Sequence, residues 1–81
     1  MTTLVISDDS ALVAGALAVL GDDDLIVLEE SADVLEQMEY HFGDPRIWFM
    51  IGDADVIPLP DACVDEVVGV ASSPEVDRVI R

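Results

Sequence analysis

The residues of this sequence that could do chemistry are nearly all carboxylates. Asp8 and Asp9 follow the first apolar run, Asp22, Asp23 and Asp24 form a continuous acidic turn, and Asp53 and Asp55 make a D-x-D pair. Oxygen ligands of this kind suit a hard divalent cation. Neither the triple nor the pair, however, has the ligand spacing of a dedicated calcium loop. Cys63 and His41 each occur once. A single cysteine excludes an intrachain disulfide and a cysteine-based zinc site. With His41 expected at a helix end, far in sequence from Cys63, no Ser/His/Asp or Cys/His set for nucleophilic catalysis is present.

The same acids set the composition. Eighteen Asp and Glu face three arginines (Arg46, Arg78, Arg81) and no lysine, for a net charge of −15 over 81 residues. Nucleic acid is a dense row of negative charge and an anionic membrane surface is another, so both are excluded as partners. Basic proteins, cations or high salt suit such a surface, and a lysine-free acidic chain is the composition expected of salt adaptation, where repulsion is screened. Hydrophobic residues make up 52% of the chain, too many for disorder. The length allows one domain that buries roughly 60–65% of the surface its unfolded chain exposes. The longest uncharged run, Ser10 to Gly21, is too short to cross a bilayer. No positive region precedes it, so a cytoplasmic protein without a signal peptide is expected.

The elements that must position these acids alternate in type. Thr3 to Ser7 reads as a strand, and Ser10 to Leu20 as a helix that Asp8, Asp9 or Ser10 can cap and Gly21 ends. Leu25 to Glu29 is a second strand, apolar enough to be covered on both faces. A helix opened by Ser31 or Asp33 runs to Phe42, its Val34, Leu35, Met38 and Phe42 falling on one face. Gly43-Asp44-Pro45 stops it. Ile47 to Ile51 and Val64 to Val70 are the third and fourth strands. Ser73 caps a final short helix with Pro74 in its first turn. This pattern predicts an α/β fold: a truncated, Rossmann-like three-layer domain with a mostly parallel four-stranded sheet in the order β-α-β-α-β-β-α. Both crossover helices should share one face. The other face is then left to the stub after Ser73, and a second copy of the chain is the expected cover. The first helix, ALVAGALAVL, has no polar side, and the fourth strand should lie at a sheet edge. A two-fold homodimer is therefore expected through the bare face or the fourth-strand edge (Val64, Val67, Val68, Val70).

The stretch GDADVIPLPDACVDEVVGV, residues 52–70, resembles the GDA-x-x-LPF-PDxxFDxVV region of class I S-adenosylmethionine-dependent methyltransferases. Gly52, Asp53, Ala54, Pro58, Pro60, Asp61, Asp65 and Val67-Val68 fall in register. VLEESADVLEQM, Val27 to Met38, resembles that family's second strand and helix, and the resemblance covers about Leu25 to Ser73, about three-fifths of the chain. The resemblance implies that Glu29 takes the hydroxyls of the cofactor's ribose, as a fixed carboxylate can. It implies that Asp53, with the Ala54 backbone, meets the adenine amine, although acids at strand ends also cap turns. Three departures count against catalysis. Glu30 stands where the family packs an apolar residue on the adenine. VISDDSALVAG has no glycine before Gly15, where the family has a glycine-rich loop, and Asp8 and Asp9 oppose the cofactor's carboxylate. The later strands that position a methyl acceptor are missing. The expected function is thus a methyltransferase-like module that does not catalyse alone and binds no cofactor, acting as a homodimer or on a partner. The alternative is an S-adenosylmethionine-binding chain whose acceptor site another chain supplies. A third reading, by likeness to phosphoacceptor receiver domains, takes Asp8, Asp9, Asp53 and Ser72 as a Mg²⁺ and phosphoryl site. Against it, Gly52 to Cys63 is too short and proline-rich for the helical crossover such a domain needs.

Overall fold

Among the described residues seven elements follow in order: β1 (Thr2–Ile6), α1 (Ser10–Ala18), β2 (Asp24–Glu29), α2 (Ala32–His41), β3 (Ile47–Ile51), β4 (Glu66–Val68) and α3 (Pro74–Val79). The computed structural model describes residues 1–7, 10–69 and 73–81. The expectations that rest on Asp8, Asp9, Val70 and Ser72 lie outside the described residues. Both serine caps form: the hydroxyl of Ser31 accepts from Val34 N–H at the start of α2, and that of Ser73 accepts from Val76 N–H at the start of α3, each satisfying an N–H with no partner inside its helix.

The strands lie in the order β3-β2-β1-β4 and every pairing is parallel. The fold is the α/β, Rossmann-like three-layer arrangement that the alternation predicts. Because side chains alternate across a strand, each strand feeds two cores. Val5, Leu25, Val27 and Ile47 point to the layer of α1 and α2, where Val13 and Met38 meet them. Leu4, Ile6 and Leu28 point the other way.

That second face differs from expectation. It is covered not by the terminal helix alone but also by the β3–β4 crossover, whose Ile57 packs with Val76 and Val79 of α3 on Leu4, Ile6 and Leu28. The crossover contains no helix, so its backbone groups need partners from elsewhere. Arg78 supplies them, donating to the carbonyls of Ile57 (2.9 Å) and Leu59 (2.8 Å) and to the carboxylates of Asp61 (2.7 Å) and Glu75 (2.8 Å). Glu75 in turn accepts from Ile57 N–H at 3.0 Å.

The fourth strand is shorter than the apolar run Val64 to Val70 suggests. Val64 is fully buried, forms a parallel bridge with Ile80 and donates its N–H to Val79 at 3.0 Å. It belongs to the core and not to the sheet edge. Val67 and Val68 remain on β4, half-buried at the edge. Gly69, at φ +101°, then turns the chain away.

Candidate functional site

Ligands of open α/β sheets bind outside the carboxyl ends of the strands, and the described residues there enclose a hollow of about 240 Å³ lined by Ile6, Ser7, Leu28, Glu29, Glu30, Gly52 and Ala54. Glu29 and Ala54 meet in this hollow. Asp53 is not among its lining residues.

Glu29 closes β2 and is buried. Its register partner is Ile51, and its carbonyl accepts Gly52 N–H at 3.0 Å, which joins the ends of β2 and β3. Its carboxylate accepts from Ser31 N–H at 3.1 Å. One carboxylate oxygen thus holds the turn into α2 through the backbone N–H of the serine that caps that helix.

Asp53 is committed to its own turn. One carboxylate oxygen accepts from Asp55 N–H (2.8 Å) and Val56 N–H (2.9 Å), and the backbones of Asp53 and Val56 form an antiparallel bridge. This is the turn-capping use of an aspartate. Ala54 presents its carbonyl to the Ser73 hydroxyl at 3.1 Å, so the same serine that starts α3 also holds the Asp53–Val56 turn. A side chain at Gly52 would be crowded here. A Cβ at that position would lie 2.8 Å from Leu28 Cδ1, 3.0 Å from Pro58 Cδ and 3.2 Å from Val56 O.

The structure brings together only part of the set that the resemblance implies. Glu29 and Ala54 line the hollow, Asp53 is bonded to its own turn, and Glu30, a carboxylate, lines the wall where the resemblance implies an apolar floor for a base. Of the set suggested for a phosphoacceptor, only Asp53 is described, and its turn accounts for it. Among the described residues no group of three or more His, Cys, Asp or Glu is placed to hold a metal ion, and no helix is long and apolar enough to cross a membrane.

The strongest electrostatics lie away from the strand ends. Asp44 is held down at about 2, chiefly by hydrogen bonds from the Arg46 side chain and then its backbone N–H. Glu75 is held at about 2, chiefly by Arg78 and then by Ile57 N–H. Both are structural clamps: Arg46 also reaches the carbonyl of Gly21 behind α1, and Arg78 ties the crossover to α3.

Sequence reasoning did not single out two features. One is the Glu75–Arg78 clamp, whose only local signal is the i, i+3 spacing of opposite charges. The other is a second hollow of about 310 Å³ beside the β3 edge, lined by Ile26, Trp48, Met50, Leu59 and Pro60 among others. Its signal is the uncharged run IWFMI. No protein-family model, curated protein or solved structure matches the chain.

Proposed function

We propose that this domain is a non-catalytic, methyltransferase-like interaction module that self-associates in two-fold pairs through α1 and the edge of β4. The observation that carries the reading is the surface of α1. A helix packed on one side of a domain normally shows solvent a polar face. Here Ala11, Ala14, Gly15, Ala18 and Val19 are exposed with no charged residue from Ala11 to Val19, and Val19 is 86% exposed. Beside it, Leu12, Ala16 and Val19 of this segment and Val68 of β4 line a groove of about 360 Å³. Two chains of net charge −15 repel, and they meet with least repulsion on the uncharged surface of α1, since the groove beside it is lined also by Asp23 and Glu66.

Sedimentation equilibrium tests this at about 50 mM and about 1 M salt. A dimer at micromolar concentration is expected, tighter at high salt. Val19→Glu would bury a carboxylate without a partner in the joint, and should weaken the dimer by on the order of a hundredfold. The melting temperature of the dilute monomer should stay unchanged, because Val19 touches little of its own chain. A monomer in both salts, or a dimer indifferent to Val19→Glu, overturns the assignment.

The non-catalytic half of the proposal has its own test. Calorimetry with millimolar S-adenosylmethionine or S-adenosylhomocysteine should give no saturable heat. Saturable binding that Glu29→Ala abolishes would instead establish the cofactor site the resemblance implies.

A further inference from the structure

The reading of the domain as an interaction module leaves open what else it binds, and the side of the sheet opposite β4 answers this. β3 is an edge strand, paired among the described residues only with β2. Arg46 C=O accepts from Leu25 N–H at 2.9 Å and Gly52 N–H donates to Glu29 C=O at 3.0 Å. Residues of a strand turn their amides alternately to either side. The even-numbered positions therefore face β2, and Phe49 and Ile51 direct their backbone groups to the open side. All five residues, IWFMI, are uncharged and none is proline. Natural edges are normally protected by charge, proline, a bulge or extreme shortness. This one has none of these, whereas β4 is cut to three residues and ended by a glycine turn.

A strand added to β3 would have unlike surroundings on its two faces. On one lies the 310 Å³ hollow, with Ile26, Met50 and the ring of Trp48, which is 61% exposed. On the other lies α2, which packs over β2 and β3 and carries exposed Asp33, Glu36 and Glu39. These acids have no cation to spare within the described residues: Arg46 pairs with Asp44, Arg78 with Glu75 and Asp61, and Arg81 with Asp65. A second copy of the chain is the poorer occupant. Joining two β3 edges about a two-fold axis through the sheet sets both α2 helices on the same face, acid against acid.

We infer that the β3 edge is a docking site for an extended segment of a basic partner, with alternating apolar and Lys or Arg residues. Backbone bonds to Phe49 and Ile51 give the pairing, the apolar side chains fill the Trp48 hollow, and the cations meet α2. This is strand addition with side chains read at every second position.

The probe is a capped peptide of about eight residues with alternating lysine and valine, followed by the fluorescence of Trp48, the one tryptophan. A saturable blue shift is expected, weakening about tenfold or more between about 50 mM and about 500 mM salt. The same peptide N-methylated along one edge keeps its charge and cannot pair, and should not bind. The glutamate–valine peptide and a lysine-block, valine-block peptide should not bind either. Ile51→Pro removes an outward donor at an exposed position and leaves the β2 pairing intact. It should abolish binding while the circular dichroism spectrum is kept. The double reversal Glu36→Lys, Glu39→Lys should weaken binding about tenfold or more. The inference is overturned by no saturable shift, or by binding that survives both N-methylation and Ile51→Pro, which would be charge attraction alone. A Trp48 shift on dilution of the protein without peptide would overturn it too, since a second copy would then hold the edge. Failure of the peptide with the Val19-dependent dimer intact removes only this inference, and peptide binding by a strictly monomeric chain removes only the dimer.

Discussion

Gly69→Ala is expected to destabilise the domain by about 2–6 kcal/mol, roughly 1–3 from backbone strain and a similar amount from crowding. At φ +101° the backbone lies in a region that an L side chain rarely adopts, and the added Cβ would stand 2.6 Å from the carbonyl oxygen of Ile6 and 3.1 Å from Leu12 Cδ2. Ile6 cannot retreat, because β1 is held between β2 and β4. A domain of this length has a total stability of about 4–12 kcal/mol, so the variant should melt roughly 20 °C below the parent or fail to fold. Gly43→Ala is the control: a Cβ there meets nothing within 4 Å, and its melt should lie within a few degrees of the parent. If Gly69→Ala also melts there, this close approach of β4 to β1 is not what fixes the edge of the sheet.

The second large effect is expected at Arg78. Arg78→Ala removes the donors that serve the carbonyls of Ile57 and Leu59 and leaves Glu75 beside Asp61 without a cation. The crossover has no regular structure to fall back on, and Ile57 is its buried anchor on Leu28. The melting temperature should fall by on the order of 10 °C, with the crossover amides losing protection from hydrogen exchange first. The acid limb of the stability curve reports the same clamp. The Glu75 carboxyl is lowered from 4.5 to about 2 in the folded chain. Its contribution is fully present above pH 4.5 and is lost as pH falls towards 2. Asp44, lowered from 3.8 to about 2 by Arg46, has the same sign in nearly the same window. Protonation of the many other carboxylates relieves repulsion over that range and opposes the loss. The informative measurement is therefore the difference between the parent and Glu75→Gln: their melting temperatures should be far apart at pH 7 and converge as pH drops from 4.5 to 2. A constant gap would mean that Glu75 acts by packing and not by charge.

What could be read from the sequence was whatever repeats at a fixed period or sits at a helix start. β3 matches its apolar run residue for residue, and Ser31 and Ser73 cap the helices that follow them. The alternation of elements was enough for the parallel α/β sheet. The fourth strand misled because a run of valines says only that residues are buried. Val64 is buried by pairing with the segment after α3, a contact that leaves no local mark. The crossover's role as a cover was hidden for a related reason, since Ile57 and Leu59 stand among prolines with no periodicity to show which way they face. At the strand ends the residue types were legible but not their use. A carboxylate at the end of a strand can bind a ligand or hold its own turn. Only the bonds that Asp53 accepts from Asp55 and Val56 N–H, and Glu29 from Ser31 N–H, show that these two carboxylates hold their turns.

β1 belongs to both cores, with Val5 on one side and Leu4 and Ile6 on the other, and one of its neighbours comes from far along the chain. The bond from Thr2 N–H to the Asp65 carboxylate joins residues 63 positions apart. Loops of that size close slowly, and domains dominated by such pairings fold in milliseconds to seconds. The layer of Leu4 and Ile6 cannot be completed while β1 waits for the chain beyond β3, because Ile57, Val64, Val76 and Val79 supply the rest of its buried residues. The reverse also holds. An opening event that releases β4 loosens both layers at once, and the amides of β1 should exchange with solvent only through unfolding of the whole domain.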